Sequence, residues 1–239
     1  MKKIDLNNLK PFLIKMDLRS YLREFELDKL IGSRVEQIPE HLIDLILYFT
    51  YSYQFKNRYE LKLAVEGYPQ NIKKYGNISY WDVSKITDMS NMFYDSEFDG
   101  DISDWDVSNV NNMSNMFRDS QFNRDISRWN VSNVNNMKWM FRESQFNGCI
   151  SGWDVSNVNY MNGIFYMSQF NDTISRWDVS NVNNMSYMFS YSKFNGSISR
   201  WDLSKVTNMN GMFYDSDYNI SFYKRNITYI ICLLLLVLK

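Results

Sequence analysis

The chain is poor in the residues on which most catalytic and disulfide chemistry depends. Its 239 residues include one histidine (His41), two cysteines (Cys149 and Cys232), three prolines, nine glycines and a single alanine, Ala64. Two cysteines give no disulfide framework. Cys149 stands where other copies of a repeated unit carry Asn, Asp, Thr or Ser, so its thiol is incidental. No nucleophile–base pair can be built on one histidine, and there is no Walker-type loop, G-x-G-x-x-G turn or Cys/His metal spacing. The expectation is therefore a non-enzymatic protein with no cofactor and no metal. A formal net charge of −1 removes any overall electrostatic case for nucleic acid or an anionic membrane. The opening "MKKIDLNNLKPFLIKMDL" has no continuous apolar run of the signal-peptide kind, and with free thiols an intracellular setting is expected.

What is present is repetition. Tryptophan falls at Trp81, Trp105, Trp129, Trp153, Trp177 and Trp201, always at the same interval, and only Trp139 breaks the series, at a variable position. Alignment on tryptophan gives a unit I-S-x-W-D-V-S-x-V-x-x-M-x-x-M-F-x-x-S-x-F-N, in six copies over residues 78–221. A fixed period of this length marks a stack in which each unit buries its apolar side against its neighbours. The excess of asparagine is attributed here to AT-rich coding rather than to structure.

Spacing within the unit predicts which groups face inward. Trp and Val flank one polar residue, the alternation of a short strand with both apolar side chains on one face. Val110, Met113 and Met116 then recur every three residues with Phe117 next, a spacing that predicts a helical or 3₁₀ turn on the opposite wall, with Ser108 as its N-cap. A second recurrent serine, such as Ser120 or Ser144, is placed to bond turn backbone. Strands stacked about 4.8 Å apart would make six units a rod of roughly 29 Å.

The motif W-D-V-S-x-V-x-x-M-x-x-M-F, with its lead-in "YGNISYWDVSKITDMSNMF" at Tyr75–Phe93, resembles the BspA-like leucine-rich-repeat surface proteins. That family occurs in bacteria including mycoplasmas, in some protists and as paralogous sets in giant DNA viruses; a giant-virus paralogue, in host cell or virion, is the reading adopted. The resemblance covers about residues 58–221. It implies an α/β repeat solenoid: a leucine-rich-repeat-like right-handed coil of six units with short parallel strands. It also implies a helical N-terminal cap, for which "ELKLAVEGY" (Glu60–Tyr68) is the matching segment. Ile86 and Leu203 for Val, Ile164 for Met, Asn130 for Asp and Tyr218 for Phe depart from the pattern and put the last copy in doubt.

If Trp and Val point in, two rows flank them outside. Asp82, Asp106, Asn130, Asp154, Asp178 and Asp202 are nearly constant, which predicts a structural duty: accepting backbone N–H bonds in the turn that follows. The row before Trp varies (Tyr80, Asp104, Arg128, Gly152, Arg176, Arg200) and supplies the candidate partner-binding residues Tyr80, Asp104, Arg128, Arg176 and Arg200. One Asp per unit and few glycines are too few ligands for calcium. The neighbouring acids cancel the field that nucleic acid would require. The expected function is a protein–protein interaction scaffold docking through the repeat face. The alternatives are a redundant paralogue with no dedicated partner and a membrane-tethered display or adhesion protein.

Four regions follow: a helical N-terminal region at 1–56, a capping helix and lead-in at 57–77, the repeats at 78–221 and an apolar tail at 222–239. The stretch "IPEHLIDLILYFTYSYQF" (Ile38–Phe55) starts like a helix packed on the first unit and weakly resembles the opening of an F-box. Ile227–Leu238 is twelve mostly apolar residues, about 18 Å as a helix against roughly 30 Å of hydrocarbon. It reads equally as a cap on the last unit, a short membrane anchor or an altered reading frame, with membrane the less favoured.

Overall fold

The computed structural model describes residues 52–218. His41, the expected helix after Pro39 and the tail Ile227–Leu238 lie outside the described residues.

Each unit is a succession of tight turns. In the second copy the N–H of Trp105 donates to the carbonyl of Ile102 at 3.1 Å, Val110 to Val107 at 2.9 Å, Met116 to Met113 at 3.2 Å and Ser120 to Phe117 at 3.3 Å. Apolar residues occupy the first and fourth places of the first three turns, and both ends of such a turn lie on the same side of the chain. This is the physical origin of the three-residue spacing. Asp and Asn side chains close further small turns two residues on: Asp106 Oδ1 accepts from the N–H of Ser108 at 3.1 Å, and Asn112 Oδ1 from Ser114 at 3.1 Å.

The expected coil of parallel strands is not what these residues form, and no sheet is present among the described residues. Parallel pairing is confined to isolated positions such as Asp88 with Asn112, Asn112 with Asn136 and Asn136 with Tyr160. The reason is local: a turn every few residues leaves no extended run long enough for a ladder. The helical or 3₁₀ turn expected over V-x-x-M-x-x-M-F is not formed either, and Ser108 caps nothing there. Two positions per unit take the left-handed conformation instead, the first at Asn91, Asn115, Trp139, Gly163, Tyr187 and Gly211, the second including Asp95, Asp119, Glu143 and Met167, with φ between 49° and 62°. A right-handed helix cannot run through such residues.

Every second peptide group of this segment points along the stack, with the two left-handed residues four positions apart within it. The N–H groups of Met113, Asn115, Phe117 and Asp119 donate to carbonyls of Asn136, Lys138, Met140 and Arg142 in the next unit at 2.8–2.9 Å. The same four bonds recur at each of the five junctions between units, at 2.8–3.1 Å. Four columns of peptide groups thus run head to tail, each group carrying about 3.5 D in the same sense.

The interior is a set of ladders. Phe93, Phe117, Phe141, Phe165, Phe189 and Phe213 stack with centroids 5.3–5.8 Å apart and ring planes within 11°. A second ladder from Phe98 to Phe194 ends on Tyr218, 5.9 Å from Phe194 with its ring nearly parallel, so the sixth copy keeps the stack despite its altered residue. Trp105, Val107, Val110, Met113 and Met116 are buried, as are their counterparts in the next three copies. Burying each such side chain contributes about 1.5–3 kcal/mol. From Trp105 on, each ladder indole N–H donates to an isoleucine carbonyl of the preceding unit at 2.9–3.1 Å. Buried Ser120 and Ser144 accept the N–H of Phe122 and Phe146 at 3.1 Å, as their recurrence predicted.

At the N-terminal end, α1 (Arg58–Glu66) starts at Asn57, whose side chain accepts the N–H of Glu60. A single turn α2 (Ile72–Tyr75) follows. Helix α1 buries Leu61, Ala64 and Val65 and sends Arg58 and Lys62 onto the first unit's outward carbonyls: Arg58 to Ser90, and Lys62 Nζ to Met92 at 2.9 Å. Two cations therefore meet the carbonyl end of the peptide columns, where the dipoles are negative. Before α1, Gln54 pairs in parallel with Asp82 at an isolated position, and the N–H of Phe55 donates to the Asp82 carbonyl at 3.0 Å.

Candidate functional site

The candidate row occupies the third place of the turn I-S-x-W, immediately before each buried indole. Tyr80 ends a 3₁₀ turn, Ile78–Tyr80, and Asp104, Arg128, Arg176 and Arg200 take the same place in later units. All five are exposed. Both ends of this turn are anchored, Ile and Trp in the core, so the x side chain must point to solvent.

The row is divided electrostatically. Arg128 pairs with Asp104 at 2.7 Å, with their side chains 68% and 64% exposed, so the pair is screened and contributes under about 1 kcal/mol. Gly152 follows, with open space where a Cβ would stand. Beyond this notch Arg176 and Arg200 have no acidic partner among the described residues. The expectation that the row flanks a strand is corrected with the strands themselves: the row lies along a line of turns.

The neighbouring acidic row holds turns. Oδ1 of Asp82, Asp106, Asn130, Asp154, Asp178 and Asp202 each accepts the N–H of the serine two residues on, at 2.9–3.2 Å. The hydrogen bonds lower the carboxyl pKa, at Asp178 chiefly through the Ser180 side chain and at Asp202 chiefly through the Ser204 backbone. Among the described residues no three His, Cys, Asp or Glu side chains converge as metal ligands, and no helix is long and apolar enough to cross a membrane.

Asparagine was misjudged in the sequence. Asn109, Asn133, Asn157 and Asn181 each donate a side-chain N–H to a serine carbonyl of the preceding unit at 2.7–2.8 Å. Asn123, Asn147 and Asn171 each accept the N–H of the residue one unit on at 2.8–2.9 Å. These amides bond one unit to the next, which coding composition alone would not arrange.

A second surface was also missed. The Arg118 guanidinium lies 5.3 Å from the Tyr94 ring, and that of Arg142 lies 5.3 Å from Trp139 and 5.1 Å from Tyr166. Tyr166, Tyr191 and Tyr214 continue the edge through ring contacts of 5.8 and 5.3 Å. The signal was available in the sequence: the place after M-F reads Tyr94, Arg118, Arg142, Tyr166, Ser190, Tyr214.

Units that bond only to their neighbours, over a shared core of ladders, define a repeat protein. The profile of one family, described as "Mycoplasma protein of unknown function, DUF285", matches residues 63–168 and again 136–230, and the chain belongs to that family. It is a repeat-containing family related to the BspA-like surface proteins, and it gives no support to a giant-virus origin. No curated protein and no solved structure matches the chain.

Proposed function

We propose that the chain is a non-enzymatic docking scaffold that binds a protein partner through the exposed row Tyr80, Asp104, Arg128, Arg176 and Arg200. One observation carries this reading: every near-constant position of the unit holds a turn, a ladder or a junction, while this row does none of that work apart from the exposed Arg128–Asp104 pair. Side chains released from structural duty are free to be chosen for contact. Arginine and tyrosine are the types that carry interface energy. Arg176 and Arg200 favour an acidic patch on the partner.

The test is an affinity capture from the cell that makes the protein, with wild type beside Arg128→Glu/Arg176→Glu/Arg200→Glu. Thermal unfolding should match between the two, because none of the three side chains is buried. A partner retained by wild type and lost by the variant supports the row as its site. A partner retained equally by both moves the site, and the aromatic edge from Tyr94 to Tyr214 is then the second reading, favoured by its exposed tyrosines.

A further inference from the structure

Four Asn-Gly dipeptides occur in the chain, at Asn147, Asn162, Asn195 and Asn210. A glycine nitrogen can approach the side-chain carbon of the asparagine before it closely, because no Cβ stands in the way. The structure separates two of the four. Asn162 is buried, and the N–H of Gly163 donates to the Ser186 carbonyl at 2.8 Å, so this nitrogen keeps its proton and is held from attack. Asn147 is exposed, and the N–H of Gly148 meets no acceptor among the described residues. Asn195 and Asn210 have their next-unit counterparts outside the described residues.

Asn147 is also polarised. Its Oδ1 accepts the N–H of Asn171 at 2.8 Å. Attack on Cγ would put negative charge on that oxygen, and a donor already in place stabilises such charge. Asn123 and Asn171 share the arrangement, their Oδ1 atoms accepting the N–H of Asn147 and Asn195 at 2.9 and 2.8 Å. They differ in the residue that follows, Arg124 and Asp172 in place of glycine. The stack therefore carries its own controls.

We propose that Asn147 is a self-modification site at which water replaces the side-chain amide. The Gly148 nitrogen gives its proton to solvent and bonds to Cγ of Asn147. The bond from Cγ to the side-chain nitrogen breaks, and that nitrogen leaves as ammonia with a proton from solvent. The cyclic imide then takes up one water. Opening at Cγ restores the main chain and leaves aspartate; opening at the main-chain carbonyl routes the chain through Cγ and leaves isoaspartate. One water is consumed and one ammonia released, with no oxidant or reductant. The two products act oppositely on the stack. Aspartate fits, since Asp99 holds the same place in the first unit with Oδ1 accepting the N–H of Asn123 at 3.1 Å. Isoaspartate adds a backbone carbon between Phe146 and Ile150, both fully buried, so the core contacts on one side of it slip against those on the other.

The test keeps the full chain in warm, mildly alkaline buffer made with heavy-oxygen water, followed by digestion and mass spectrometry with fragmentation that separates aspartate from isoaspartate. Wild type is compared with Gly148→Asp, which copies the Asn171–Asp172 pair. The expected result is heavy oxygen at Asn147 in both product forms, with Asn123, Asn162 and Asn171 left as amides, and loss of the conversion in Gly148→Asp. Asn147 that stays an amide in the folded chain overturns the proposal, as does equal conversion of Asn162. Undiminished conversion in Gly148→Asp overturns the glycine nitrogen as the nucleophile. A Cβ at Gly148 would stand 2.9 Å from the Phe146 ring, so if that variant does not fold, Asn123 and Asn171 within wild type decide the outcome. Urea unfolding reads the consequence: Asn147→Asp should unfold with fresh wild type and the isoaspartate fraction at lower urea, and equal midpoints for both products would overturn the slippage.

Discussion

Trp139 and Gly163 occupy the same left-handed position in consecutive units, and a Cβ built on Gly163 would lie 1.9 Å from two carbons of the Trp139 ring. Tyr187 and Gly211 repeat the arrangement at 2.7 Å. Gly163→Ala therefore carries two penalties. Holding alanine in the left-handed region costs about 1–2 kcal/mol. Displacing the indole, which also faces Arg142 and Tyr166, costs about 1–3 kcal/mol as overpacking does. The expected loss is their sum, about 2–5 kcal/mol. In a Trp139→Asn background, where asparagine stands as it does at Asn91 and Asn115, the clash disappears and only about 1–2 kcal/mol remains. Urea unfolding followed by fluorescence of the ladder tryptophans measures all four corners of the cycle. Equal costs in both backgrounds would refute the contact between indole and glycine. No cost in either would refute the left-handed backbone.

Three further outcomes are expected. Trp153→Ala should destabilise by about 3–5 kcal/mol, since it empties a ladder position and removes the N–H that meets Ile126 at 3.1 Å; a neutral unfolding midpoint would place the indole outside the core. Asp178 and Asp202 have folded pKa values below the ordinary 3.8, so their contribution is complete above that value and is lost as pH falls from there through the folded pKa. Asp178→Asn/Asp202→Asn should keep the turns, as Asn130 does, while flattening the decline in unfolding midpoint as pH falls below 3.8; an unchanged acid slope would show that these carboxyls do not contribute to it. Arg58→Met/Lys62→Met should uncover two carbonyls at the start of the stack and cost about 1–3 kcal/mol, with amide exchange in α1 accelerated; unaltered exchange would mean that the apolar face of α1 alone holds it.

Much of the interior was legible in the sequence. The constant repeat period, the inward Trp, Val, Met and Phe positions and the turn-closing Asp row follow from residue types and their spacing, while the capping helix near Glu60–Tyr68 was implied by the family resemblance. The strand and helical turn were not correctly read, for a geometric reason. Apolar residues three apart satisfy one face of a helix, and they equally satisfy the two ends of consecutive β-turns. Only backbone dihedrals separate the two, and the residues that decide them, among them Trp139, Met167 and Tyr187, are types that ordinarily avoid positive φ. The variable row stands out in the sequence because nothing in the unit requires it. The aromatic edge was passed over because its members alternate between arginine and tyrosine, so no constant motif marked it.

Because every junction uses the same four peptide bonds and the same ring contacts, the fold places no value on how many units it has. Duplication or loss of one whole unit between two ladder tryptophans reproduces the same four-bond backbone joint, and the left-handed position, where Gly163 makes room for Trp139 and Gly211 for Tyr187, restricts which units can meet. Length is then a heritable variable separate from stability of the joint, and each exposed side chain can be edited one copy at a time. A lineage carrying such a gene can alter its reach and its surface by unequal recombination wherever the side chains at that position are compatible, with the backbone joint preserved at each step.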